Sequence, residues 1–147
     1  MKRGRERRFL SNEAGASAIE FALLALPFVL LLFGIIEFGR AFWAREVLQS
    51  VANKGARCMG VLHPSCASGS SFNEGSTKAY IRNEAGAMLV SLPDSAIDLN
   101  NAATCAGVSG FSEVRLTYQF QTVVPLLDDY LGGGAPFVAT ACFPNQS

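Results

Sequence analysis

Four cysteines and one histidine carry the most distinctive chemistry in this sequence: Cys58, Cys66, Cys105, Cys142 and His63. Thiols serve as disulfide partners, metal ligands or nucleophiles, and their spacing and company decide among these roles. An even number in a short chain reads as two disulfides where the compartment is oxidising. Three pairings are possible, and spacing does not choose among them. The expectation is Cys58–Cys66 across the exit from a helix into a loop, and Cys105–Cys142 tying a sheet. The rival is a metal site built from Cys58, His63 and Cys66, which offers three ligands where structural zinc takes four. As the only histidine, His63 would have to serve any Ser-His-Asp or Cys-His catalysis. It stands in a Pro- and Ser-containing loop with no catalytic motif around it. The chain has no HExxH, no GxSxG and no Gly-rich phosphate cradle after a strand. Gly132-Gly133-Gly134 reads as a turn. These residues point away from an enzyme, a metal centre, a cofactor or a small-molecule substrate.

Glu20 is the other residue that calls for an explanation. It precedes Phe21–Ile36, a run with no charged or strongly polar side chain, and Glu37 closes that run. An ionised carboxylate near a bilayer centre would cost up to about 3 kcal/mol, and less near an interface. The plain reading is an interfacial carboxylate near a helix N-terminus, where the helix dipole favours it. The sharper reading supplies a partner charge. If the chain were cut after Gly15, Ala16 would carry a free ammonium one helical turn before Glu20. That ammonium, on the same chain or on a neighbour, would neutralise the carboxylate within the membrane.

The elements that position these groups follow from composition and periodicity. Half of the 147 residues are hydrophobic and only 16% are charged, against about 25% in an ordinary soluble domain. Residues 16–39 are long enough as a helix, at roughly 36 Å, to cross a hydrocarbon core of about 30 Å. No second apolar run of that length follows, so one span is expected. Lys2, Arg3, Arg5, Arg7 and Arg8 lie ahead of it and Arg40, Arg45, Lys54 and Arg57 behind it, a narrow positive-inside margin. Because all four cysteines follow the span, the N-terminus is placed inside and the rest in an oxidising space. A basic tail on a mildly acidic body does not suit nucleic-acid binding. The charged and aromatic stretch Glu37–Ala44 lacks the small-x-small site of an ordinary secretory signal.

Helical character continues through 40–60, with Phe38, Phe42, Val47, Val51 and Ala52 near helical spacing and Glu37 three residues from Arg40. Pro27 is expected to kink or loosen the helix. Residues 60–76 read as a loop, and Thr77–Leu92 as a short amphipathic helix carrying Ile81, Ala85, Met88 and Leu92 and ended by Pro93. Ala96–Leu99 reads as a short strand. Glu113–Val124 reads as a longer one, with Val114, Leu116, Tyr118, Phe120, Thr122 and Val124 on one face. Residues 125–134 read as a connection and Phe137–Phe143 as a returning strand. The sum is an α+β chain: a 16–39 membrane helix, its continuation over 40–60, and a domain over 61–147 with two or three antiparallel strands.

The stretch Gly15-Ala-Ser-Ala-Ile-Glu20-Phe-Ala-Leu-Leu-Ala-Leu-Pro27, with its continuation Gly34-Ile-Ile-Glu37-Phe38-Gly39-Arg40-Ala41, resembles the prepilin-peptidase site and helix of TadE-like pseudopilins. The strand ending in Pro125-Leu126-Leu127, the Gly-rich turn and the closing strand are similar to that family's C-terminal part. The resemblance implies a type IV pilin-like subunit of a Tad (Flp) tight-adherence pilus. Its leader, 1–15, would be removed between Gly15 and Ala16, and Glu20 would stand at the fifth position of the mature chain. It implies an inner-membrane, single-pass protein whose C-terminal domain faces the periplasm and which joins a pilus assembly. The implied partners are the prepilin peptidase, inner-membrane lipid and other Tad pilins and pseudopilins, and the implied service is adhesion or secretion. Glu20 is followed by Phe21, whereas major Flp pilins resemble Glu-Tyr there, which points to a minor pilin. The alternatives are a type II secretion pseudopilin and an unprocessed anchor for a periplasmic binding domain.

Overall fold

The computed structural model describes residues 13–122 and 136–146. The basic leader up to residue 12, the end of the expected strand beyond residue 122, and the expected connection with Gly132-Gly133-Gly134 lie outside the described residues. The chain divides into two compact units, 1–38 and 39–147.

Helix α1 runs Glu13–Gly60 and passes through Pro27 without a break in the assignment. Its part in the first unit exposes apolar side chains on every side, from Ile19 and Phe21 to Ile35 and Ile36. A helix apolar all round, with no protein face to bury it, fits a lipid or helix-bundle setting. It is the one described helix long and apolar enough to cross a membrane.

From Gly39 onward the same helix obeys a different rule. Ala44, Val47, Leu48, Val51, Ala52, Ala56 and Met59 are buried, at three- and four-residue steps that form one stripe. Phe38 and Phe42, which periodicity placed on this stripe, are instead 74% and 58% exposed. The stripe begins at Ala44, and further along it neighbouring elements come close to the helix backbone. Gly55 shows how close: a Cβ there would stand 2.9 Å from Ile81 Cδ1 and 3.4 Å from Val114 Cγ2. At Gly60 it would meet Phe143 Cδ1 at 2.6 Å and the Pro144 carbonyl at 2.9 Å.

After α1 the chain makes a minimal hairpin, β1 (Ala67–Ser68) with β2 (Ser71–Phe72), turning at Gly69 with φ +64°. Thus the expected loop holds a small antiparallel pair. Helix α2 spans Glu74–Ala87, a few residues earlier than periodicity alone suggested. Asn73 sets its start, its side chain accepting the Ser76 N–H at 2.8 Å. Its end is set before Pro93: the Leu89 N–H bonds to Gly86 O and the Val90 N–H to Ala85 O, both at 3.0 Å. This pair is a Schellman motif, with Leu89 as the left-handed residue at φ +64°. Leu92 is buried from an extended segment rather than from the helix.

A 3-10 turn, Asp94–Ala96, leads into a three-stranded antiparallel sheet ordered β3-β4-β5. Strand β3 is Ile97–Cys105, β4 is Val108–Gln119 and β5 is Pro136–Pro144. Ile97 faces Leu116 in register, and Leu116 in turn faces Ala139. The inward row of Ile97, Val114, Leu116, Ala139 and Ala141 closes on the α1 stripe, on Ile81 and Ala85 of α2, and on Val90 and Leu92. Between Asn100 and Ala103 the β3 register shifts. There Ser112, fully buried, donates its hydroxyl proton toward Asn145 Oδ1 at 2.6 Å and stands 2.8 Å from Asn101 Oδ1. The Asn145 side-chain N–H closes the group onto the Asn101 carbonyl at 2.8 Å. A buried hydroxyl needs such partners, since an unmet one costs about 1–3 kcal/mol.

Candidate functional site

The N-terminal candidates sit on the first unit's part of α1. Gly15 and Glu20 are exposed, and no side chain or distant backbone comes within 4 Å of a Cβ built at Gly15. Residues 16 and 20 are one helical turn apart, so a terminal amine at Ala16 would fall within reach of the Glu20 carboxylate. Two further glycines on the apolar segment, Gly34 and Gly39, likewise have open space beside them. Glu37, at the end of the apolar run, is 3% exposed, unlike Glu20. The first unit is therefore an apolar rod bearing an exposed carboxylate near its start.

The second unit is a head built to be rigid. Cys58 bonds to Cys66, closing the exit of α1 onto the β1 hairpin, and Cys105 bonds to Cys142, linking β3 to β5 across β4. Both sulfurs of the conceivable Cys58–His63–Cys66 metal site are thereby consumed, and His63 Nδ1 instead accepts the Ser65 N–H at 3.2 Å. Among the described residues, the one cluster with suitable ligand atoms is Cys105, Glu113 and Cys142, within 4.8 Å of one another. Its two sulfurs are bonded to each other, so it holds no thiolate to ligate a metal. Ion pairs lace the surface. Lys54 of α1 meets Glu84 of α2 at 2.6 Å, Lys78 meets Glu74 at 2.6 Å, and Arg82 meets Asp94 at 3.1 Å. The hydrogen bond to Glu84 raises the Lys54 pKa, and the bond to Glu74 raises that of Lys78.

Among the described residues, the four cysteines are paired in disulfides and His63 holds a local loop contact. Residues 15–57 match the family described as TadE-like protein. The match lies wholly within α1. No curated protein and no solved structure matches the chain. The matched stretch runs from Gly15 to Arg57, so it takes in the apolar run and every stripe residue but Met59. TadE-like proteins are structural rather than enzymatic and are related to Tad-pilus minor pilins. A single long apolar N-terminal helix is consistent with a single-pass membrane anchor.

Two features of the head escaped the sequence reading. The Trp43 indole N–H donates to the Met88 carbonyl at 3.4 Å, and Arg40 and Leu89 line one cleft of about 700 Å³. Arg40 also lies over the Phe120 ring at 5.6 Å, and that ring stacks on Phe137 at 5.7 Å. The signal for Arg40 and Trp43 was present as a three-residue helical spacing. Leu89 gave none, because its role depends on a backbone conformation that sequence assigns to glycine.

Proposed function

We propose that this TadE-like chain is a minor pilin or pseudopilin of a Tad-type pilus. The prepilin peptidase cuts it between Gly15 and Ala16, and the mature chain stays in the inner membrane until it joins an assembly. The observation that supports this most is the long apolar run of the first unit, whose large side chains are exposed, with Glu20 as its acidic group near the start. Such a rod is stable only when lipid or like helices cover it. Glu20 then selects the register: its carboxylate pairs with an Ala16 ammonium in a medium where an unpaired charge is costly. The cysteine-bonded head faces the oxidising periplasm, where both disulfides persist.

The deciding experiment is mass spectrometry of the mature N-terminus, on membrane-extracted protein from cells with and without their prepilin peptidase. A peptide beginning at Ala16 that vanishes without the peptidase supports pilin-type processing. An intact leader in both strains makes the protein an ordinary anchor, and the part assigned to Glu20 falls with it. Glu20→Gln should leave cleavage largely intact and impair pilus assembly. Normal piliation in that variant would remove the register argument while leaving processing untouched.

A further inference from the structure

The three-stranded sheet is uneven at one end. Strand β3 begins at Ile97, opposite Leu116, whereas β4 runs on to Gln119. Over these last residues β5 covers one edge of β4, pairing Thr117 with Val138, Tyr118 with Phe137 and Gln119 with Pro136. The other edge, in line with β3, meets no strand among the described residues, since the chain before Ile97 folds into the Asp94–Ala96 turn. Backbone N–H and C=O groups point to alternate sides along a strand. At least one of Thr117, Tyr118 and Gln119 therefore aims both groups at the open edge. The cleft of about 700 Å³ lies between these residues and the segment that leads into β3, which lines it with Leu89, Ser91 and Ser95.

An open strand edge is a template for another chain, and proteins blunt such edges with lysine, proline or a bulge. Thr117, Tyr118 and Gln119 carry none of these. No carboxylate stands in the described lining of the cleft, and its one charged side chain, Arg40, lies over the Phe120 ring. Leu89 at the border is 94% exposed and held at φ +64°, where glycine is favoured, so no contact within the described head repays that strain. We propose that the cleft binds an extended, uncharged peptide segment of a partner protein, which adds to β4 in line with β3. The segment's backbone pairs with the open edge at Thr117–Gln119, and its outward side chains rest against Leu89 and the serine hydroxyls. A second copy is the poorer donor, because the three strands of its sheet are already paired with one another. A saccharide would use the hydroxyls but leave the backbone edge unmet. The claim concerns the head alone and stands whichever assembly the chain joins.

Amide hydrogen exchange on the full chain in detergent micelles tests this. The probe is a pool of end-capped hexapeptides randomised among threonine, valine, serine, tyrosine, glutamine and leucine. Its counterpart is the same pool N-methylated at every residue, which keeps the side chains and removes the backbone donors. The plain pool should slow exchange of at least one amide among residues 117–119 by about tenfold or more, and the methylated pool should not. Ser95→Trp, at an exposed position on the turn, fills the cleft and should abolish the slowing. Ser91→Trp, also exposed, serves the same end if the first variant fails to fold. Absence of slowing by the plain pool overturns the proposal. Equal slowing by both pools overturns it too, because side chains rather than backbone then hold the ligand. Slowing that persists in the folded blocking variants places the peptide elsewhere and has the same force. Protection at 117–119 that rises with protein concentration, without any peptide, assigns the edge to a second copy and again overturns the claim.

Discussion

Leu89→Gly should make the head more stable. The left-handed conformation costs an L-residue about 1–2 kcal/mol relative to the ordinary helical one. Glycine is spared that cost but loses more freedom on folding, about 0.4–1 kcal/mol. The side chain itself contributes almost no burial, being 94% exposed. The two motif hydrogen bonds, Leu89 N–H to Gly86 O and Val90 N–H to Ala85 O, involve backbone alone and survive the change. Val90 and Ala85, both buried in the same core, are untouched by it. The net gain is about 0.5–1 kcal/mol, a few degrees in Tm for a domain of this size. Near-ultraviolet circular dichroism of the full chain in detergent, read through thermal unfolding, measures it. Leu89→Ala is the control: it keeps the left-handed strain and should change Tm little. If Leu89→Ala gains as much as Leu89→Gly, the benefit came from deleting an exposed apolar side chain, and the backbone argument fails. A loss of stability in Leu89→Gly refutes it outright.

The two disulfides should differ in worth. By loop-closure entropy, Cys105–Cys142, spanning 37 positions, contributes about 4 kcal/mol. Cys58–Cys66, spanning 8, contributes about 2.5 kcal/mol. Paired alanine variants compared by urea midpoint test this, and the reverse order would show that the α1 exit matters beyond its loop length. The Lys54–Glu84 bridge predicts an alkaline limb of stability. Because the folded Lys54 pKa is raised above its ordinary 10.5, the contribution is complete below that value and fades as pH rises through the folded pKa. The stability gap between the wild type and Lys54→Gln should therefore narrow above about pH 10.5, and a gap that widens there reverses the assignment.

How much of this was legible in the residues depends on what fixed each element. The apolar rod was readable because lipid compatibility demands only uninterrupted apolarity, which Phe21–Ile36 displays. Strand β4 was readable from Glu113 on, where buried Val114 and Leu116 alternate with more open neighbours. Its first residues and most of β3 were not, since Asp98, Asn100 and Asn101 disfavour strands in isolation. They are held by cross-strand pairing and by the Ser112–Asn145 group, which is long-range information. The start of α2 was visible in principle as Asn73 before Glu74, an N-cap hidden among the Gly and Ser residues of a loop-like stretch. Phe38 and Phe42 misled because helical periodicity identifies a face but not the medium that covers it.

That ambiguity is the key to α1. A 3.6-residue repeat and a set of apolar residues describe both its parts, yet the first is covered on no side by protein and the second on one. The difference lies in what covers each part. Before Gly39 the helix carries exposed Leu, Phe and Ile around its circumference. After it, the buried face sets Val47, Leu48, Val51 and Met59 among the small Ala44, Ala52, Gly55 and Ala56, and at Gly55 Ile81 and Val114 approach the backbone. Restoring bulk at Gly55 would collide with a fully buried Ile81, whereas added bulk at Gly34 meets open space. The TadE-like match spans both regimes and stops at residue 57. The family likeness therefore resides in one helix whose first part is apolar on every side and whose second part lends a stripe to a protein core.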